Sequence, residues 1–129
     1  PEHPVFKDYR YAARYMHDRL TGYETEVVVV MCLDSSGKML SCKKIFEGTV
    51  NSADICLRKI MDFAITSDAK KVIIGHNHIY GSAMPSNADY DTTQIIAGVL
   101  KNARILLEDH VVSTYKEYRS FREIGFITE

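Results

Sequence analysis

His76 and His78 are separated only by Asn77, at the end of a short apolar run over 71–75. On an extended backbone, residues two apart project from one face, so the two imidazoles stand side by side. That is half of a tetrahedral zinc site. Asp89 follows in what reads as the first turn of the next helix. The loop over 79–88 is long enough to fold that helix start back over the strand end. Two histidines and one carboxylate leave a fourth position for water, the arrangement of a catalytic rather than a structural zinc. Zinc lowers the pKa of its bound water from 15.7 to about 7. A neighbouring carboxylate can then take the proton and deliver it to a leaving amine. Glu26 is the candidate for that role. Ser86, three residues before Asp89, offers a hydroxyl to a developing oxyanion or to the attacking water.

Each of these residues also has a plainer reading. A His-x-His pair arises by chance and usually binds nothing. Ser86-x-x-Asp89 matches a helix capping box without any metal. Glu26 also reads as a polar residue marking a strand start, and His110 as a packed or hydrogen-bonded histidine rather than a ligand. The joint spacing tips the balance, because His-x-His precedes Ser86 by eight positions and Asp89 by eleven.

The elements that must position these residues follow from periodicity. Tyr9, Ala12, Ala13, Met16 and Leu20 predict a helix over 7–20, ended by Thr21-Gly22 with Gly22 as cap. The β-branched run Val27–Val30 predicts a strand over 26–34, too continuous to be half-exposed and so central. Asp34-Ser35-Ser36-Gly37 is a turn into a second, antiparallel strand over 39–47, closed by Gly48-Thr49. Asn51-Ser52 caps a helix over 53–66, whose stripe is Cys56, Leu57, Ile60, Phe63 and Ala64. A strand over 71–75 and a helix over 88–103 follow, the latter with Ile95, Ile96, Val99, Leu100 and Ala103 inward. Residues 105–107 and 110–113 read as one interrupted strand or two short ones, and 118–121 as a last strand or turn. If the third strand lies beside the first, the two run antiparallel, and Glu26 comes beside His76 and His78.

Composition excludes several classes. The 129 residues are 46% hydrophobic and 26% charged, as in an ordered globular domain. Sixteen basic against seventeen acidic residues give a net charge of −1, and the basic residues gather only in the pairs Lys43-Lys44 and Lys70-Lys71. Nucleic acid as a partner is therefore not supported by charge. Three cysteines, Cys32, Cys42 and Cys56, show no CxxC spacing. They exclude a cysteine zinc site and read as free thiols in a reducing cytoplasm. No apolar run is long enough to span a membrane, and no signal peptide is visible. The start at Pro1 without Met suggests a fragment that lacks an upstream domain. Exposed sheet edges permit a dimer, and nothing in the sequence requires one.

The string His76-Asn77-His78, Pro85-Ser86, Asp89 resembles the JAMM motif of the JAB/MPN+ metalloproteases, H-x-H-x7-S-x2-D. The closer resemblance is to the bacterial RadC proteins. Gly48-Thr49-Val50 is similar to their GT[LV], Asp109-His110-Val111-Val112 to their DHIIV, and Ser120-Phe121-Arg122-Glu123 to their SF.E. The resemblance covers 24–126, a motif-bearing core preceded by a first helix within 1–22, all in one domain over 1–129. It implies an α/β fold, a cytidine-deaminase-like sandwich with a mixed sheet flanked by helices. It implies zinc on His76, His78 and Asp89, assistance by Ser86, and Glu26 as acid and base. The activity implied is hydrolysis of peptide or isopeptide bonds in an unidentified protein or peptide. The family's label as DNA repair proteins is historical; a non-catalytic module for DNA transactions or protein assembly, or a metal-dependent nuclease, is the alternative. Two features stay open. Ile79 stands where the family has proline, which removes a fixed φ from the loop, and Tyr80 stands before Gly81 where the family has Ser. Glu24, sharing a strand face with Glu26, and Glu47, at the end of the second strand, compete for the role of base.

Overall fold

The computed structural model describes residues 3–48 and 57–128. Its elements are α1 (Tyr9–Leu20), β1 (Val27–Leu33), β2 (Met39–Glu47), α2 (Leu57–Thr66), β3 (Lys71–Asn77), α3 (Asn87–Asn102), β4 (Leu106–Ser113) and β5 (Tyr118–Ser120). The five strands form one mixed sheet in the order β2-β1-β3-β4-β5. β1 is antiparallel to both β2 and β3, β3 and β4 are parallel, and β5 returns antiparallel to β4. This is the expected α/β sandwich.

Every residue of β1 is buried, because the strand has a sheet neighbour on each side and helices on both faces. The middle place in the sheet, however, belongs to β3. Val28, Val30 and Cys32 of β1 join Val72 and Ile74 of β3 in a core closed by Ile60 and Ala64 of α2 and Ile96 and Leu100 of α3. Val27, Val29, Met31 and Leu33 face the other way, with Ile73 and Val111, onto Ala12, Ala13, Met16 and Leu20 of α1. Gly75 makes that second contact possible. A Cβ there would lie 2.5 Å from Cγ and Sδ of Met16 and 3.0 Å from Cδ1 of Leu20.

Two further expectations need amendment, and one left open is decided. Thr21, not Gly22, is the C-cap of α1. Of the two readings of 105–113, the interrupted single strand is the one found, as β4. Leu107 pairs with Val72 and Asp109 with Ile73, so Glu108 is the extra residue of a bulge that the ladder absorbs. The inward stripe of α3 is Asp89, Thr93, Ile96 and Leu100, whereas Ile95 is 60% exposed and Ala103 is exposed as well. The helix is rolled so that two polar residues face the sheet, where two histidines meet them. The proposed cap Asn51-Ser52, the start of the second helix with Cys56, and Thr49-Val50 lie outside the described residues.

Cys32 is buried and Cys42 half-buried, and both are free thiols. Burial raises the pKa of both, that of Cys42 to about 11, so neither is a thiolate at neutral pH. Among the described residues, no helix is long and apolar enough to cross a membrane.

Candidate metal centre

The end of β3 and the start of α3 meet above the core on the α3 face. His76 continues the row of Val72 and Ile74, two residues apart along the strand. His78 lies one step past the strand, and its backbone N–H donates to Ser113 O at 2.8 Å, extending the β3–β4 ladder. Asp89 is held by a capping box. Ser86 Oγ accepts from Asp89 N at 3.1 Å, and Asp89 Oδ2 accepts from Ser86 N at 2.8 Å. The plainer reading of Ser86-x-x-Asp89 is thus correct, and it also fixes where the carboxylate points.

That carboxylate faces both imidazoles. Asp89 Oδ1 is 3.4 Å from His76 Nε2, and Oδ2 is 3.8 Å from His78 Nε2. The two Nε2 atoms are 3.3 Å apart. Ligands about 2.05 Å from a common tetrahedral centre stand about 3.3–3.4 Å from one another. The two Nε2 atoms and the His76–Asp89 pair match that spacing, and one donor atom from each of His76, His78 and Asp89 lies within 4.8 Å of the others, a group that could hold a metal ion. The protonation fits too. His78 Nδ1 lies 2.9 Å from Ser82 O; a carbonyl only accepts, so Nδ1 carries a proton and Nε2 is the nitrogen turned toward Asp89. Burial pushes His76 down to about 4, leaving a neutral ring at pH 7. Burial acts to raise Asp89, but the facing His76 and the Ser86 amide outweigh it and hold the carboxyl below its ordinary value. His76 and Asp89 are 5% and 2% exposed. His78 is half-buried and gives the site its open side.

Glu26 sits just before β1. Val28 pairs with His76 as the last rung of the β1–β3 ladder, so Glu26 lies at the end of the sheet where His76 and His78 stand. Asn77 fixes this stretch. Its Oδ1 accepts from Val27 N at 2.7 Å and its Nδ2 donates to Thr25 O at 3.0 Å. Its two bonds bracket Glu26, whose own carbonyl accepts from Gly48 N at 2.9 Å. Glu24 is exposed. Glu47 pairs in register with Val27, whose side chain belongs to the α1 face. Its carboxylate is engaged by Lys44 and by Thr25 Oγ1.

The profile of the RadC-like JAB domain matches residues 6–126. The chain belongs to that family. It is 36% identical over 113 residues to a UPF0758 protein of Vibrio cholerae, covering 88% of this chain and 71% of that protein. It is 36% identical over 116 residues to a UPF0758 protein of Xylella fastidiosa, covering 90% and 52%. It is 33% identical over 115 residues to a UPF0758 protein of Acinetobacter baylyi, covering 89% and 42%. The chain thus spans between two-fifths and seven-tenths of these relatives' lengths.

Within this RadC-like domain, the loop that follows His78, with Ile79 at its start, is fastened at several points. Gly81 turns it at a φ of +88°, a conformation that favours glycine. His78 Nδ1 holds Ser82 O, and Ala83 N donates to Glu117 Oε2 at 3.1 Å. Ala83 and Pro85 are buried beneath it. Three residues here escaped the reading of the sequence: Asn77, Thr93 and Glu117. His110 is the hydrogen-bonded core histidine expected of it, and the fold supplies its partners. His110 Nε2 lies 2.9 Å from His76 Nδ1, and His110 Nδ1 lies 2.5 Å from Thr93 Oγ1. A threonine four residues after Asp89, on the same helix stripe, was the one signal that pointed there.

Proposed function

We propose that this domain is a zinc-dependent hydrolase of peptide or isopeptide bonds, with the metal on His76, His78 and Asp89. The observation that carries the reading is the set of separations of 3.3, 3.4 and 3.8 Å between two imidazole nitrogens and a carboxylate with one side open. Zinc bound there supplies a Lewis acid and a water that ionises near neutral pH.

The chain's own residues supply the rest. Glu26, in the stretch that Asn77 brackets at the start of β1, is the residue assigned to accept the proton of the attacking water. An amine leaves only once protonated, so a carboxylate that collects a proton and returns it suits an amide substrate. Ser86 Oγ accepts from Asp89 N and keeps its own O–H to donate to the carbonyl oxygen as negative charge builds on it. His76 and Asp89 stay buried and dry, while half-buried His78 marks the side from which an extended chain approaches.

The test is turnover by the zinc-loaded chain on fluorogenic peptides and isopeptide-linked lysine substrates, beside Glu26→Gln and His78→Ala. Glu26→Gln is expected to keep one zinc per chain and lose about 100-fold or more in turnover. His78→Ala is expected to lose the zinc. Unchanged turnover in Glu26→Gln would refute the assignment of the base. Metal-dependent cleavage of DNA, absent in His78→Ala and without any amide hydrolysis, would move the site to phosphodiester chemistry.

A further inference from the structure

We propose that His110 and Thr93 are positioning residues that select the metal-binding tautomer of His76. The inference rests on the metal-site part of the reading above and adds to it a relay running from α3 through β4 to β3. His110 is 0% exposed and stacks on Phe121 at 4.6 Å with an interplanar angle of 18°. Both its ring nitrogens are engaged, one by His76 and one by Thr93. It touches nothing that the trio would bind, so it acts only through His76.

One proton lies between His76 Nδ1 and His110 Nε2, and neutral rings allow two arrangements. In the first, His76 Nδ1–H donates to His110 Nε2, His110 Nδ1–H donates to Thr93 Oγ1, and His76 Nε2 carries a lone pair toward Asp89 and His78. In the second, the whole row runs backwards. Thr93 O–H donates to His110 Nδ1, His110 Nε2–H donates to His76 Nδ1, and His76 Nε2 carries a proton where a metal would sit. Only the first binds a cation. A hydroxyl serves either way, because it both donates and accepts. Thr93 thus lets His76 clear its Nε2 by an internal shift of the row, with both ring nitrogens of His110 engaged in either arrangement.

Removing that hydroxyl is not symmetrical. Without it, the metal-binding arrangement leaves His110 Nδ1–H as a buried donor with no acceptor. The other arrangement leaves only an unused lone pair, the lesser cost. Thr93→Val, nearly the same shape, therefore penalises the metal-bound form selectively. Thr93→Ser restores the hydroxyl. His110→Phe keeps an aromatic ring against Phe121 and removes the acceptor of His76 Nδ1–H altogether.

The experiment is zinc affinity of the full chain by chelator competition, with 15N NMR of the His76 ring nitrogens. Thr93→Val is expected to bind zinc about tenfold more weakly, His110→Phe about 10- to 100-fold more weakly, and Thr93→Ser close to wild type. The wild-type zinc form is expected to show His76 protonated at Nδ1. In metal-free Thr93→Val the proton is expected at Nε2. Should His110→Phe fail to fold, the Thr93→Val and Thr93→Ser pair decides alone, because a merely structural threonine moves neither the tautomer nor its rescue. Zinc affinities of Thr93→Val and Thr93→Ser within twofold of wild type overturn the relay, as does a wild-type chain that takes up no zinc. Graded zinc affinity in a chain that hydrolyses no amide leaves the relay standing and refutes the hydrolase. Glu26-dependent turnover with zinc affinity indifferent to Thr93 does the reverse.

Discussion

Replacing Asp109 by Asn should make the domain lose stability more steeply on acidification. Asp109 is fully buried in the bulge of β4. Its Oδ2 accepts from Ser120 Oγ at 2.6 Å, and its Oδ1 accepts from His110 N at 2.8 Å and Arg122 N at 3.0 Å. Burial outweighs those bonds and lifts its pKa from 3.8 to about 6. The folded state therefore holds this proton between about pH 4 and 6 while the unfolded state has released it. A raised carboxyl pKa stabilises the fold at low pH and withdraws that stabilisation as pH rises through 6. A rise from 3.8 to about 6 is worth about 3 kcal/mol between the protonated and ionised forms. His76 and His110 work in the opposite direction. Burial depresses both, so they favour the fold above 6.5 and weaken it as pH falls. The opposing trends overlap, and the wild-type curve is flattened. Asp109→Asn keeps an oxygen for both backbone donors and lets Ser120 Oγ accept from the new amide, but it removes the carboxyl titration. Urea unfolding of the metal-free chain in chelating buffer, from pH 4 to 8, is the assay. The free-energy gap between the two proteins should shift by up to about 3 kcal/mol across that range, with the wild type gaining relative stability toward acid. Curves that stay parallel within about 0.5 kcal/mol, near the error of extrapolation, would show that Asp109 is ionised in the fold throughout.

Other perturbations test the elements that place the site. Asn77→Ala leaves Val27 N–H buried without its acceptor, so denaturant melts should show a loss of about 1–3 kcal/mol. Amide exchange over 25–27 should quicken, and turnover should fall further than zinc affinity. Unchanged exchange would mean that the bracket does not hold Glu26. Gly75→Ala drives a methyl into Met16 and Leu20 and should cost about 1–3 kcal/mol by thermal or urea unfolding. A neutral result would mean that α1 shifts away from β3 freely.

The site was legible where its spacing is local. His76 and His78 lie two apart on one strand, and Asp89 is tied to Ser86 by a cap with its own sequence pattern. That β3 ends where β1 begins, at the end of the sheet that carries Glu26, followed from strand order alone, because the two strands are antiparallel neighbours. The relay was not legible. Its links join residues 17 and 34 positions apart, and periodicity counts only apolar positions. That is why the sequence turned Ile95 inward, whereas the fold turns Thr93 inward and leaves Ile95 in solvent. The bulge at Glu108 escaped for a similar reason. A charged pair inside a strand reads as a break until its partners, Ser120 and the backbone of Arg122 for Asp109 and Lys71 for Glu108, are in view.

The rolled α3 explains how one helix serves two purposes. Ile96 and Leu100, in its C-terminal half, close the apolar core over Val72 and Ile74. Asp89 and Thr93, one turn apart in its N-terminal half, meet histidines from two adjacent parallel strands. Ile74 pairs with His110 in register, so His110 stands one strand over and two residues below His76 on the same face. The four side chains form a polar column between helix and sheet, directly on top of the hydrophobic layer. Such a column is tolerable only when complete, since a buried polar group without a partner costs more than the bond it would have made. Among the described residues no buried side-chain nitrogen or oxygen lacks a partner. The roll that exposes Ile95 is thus the consequence of satisfying His76 and His110. The geometry of the candidate metal site and the packing of the core are set by the same rotation of one helix.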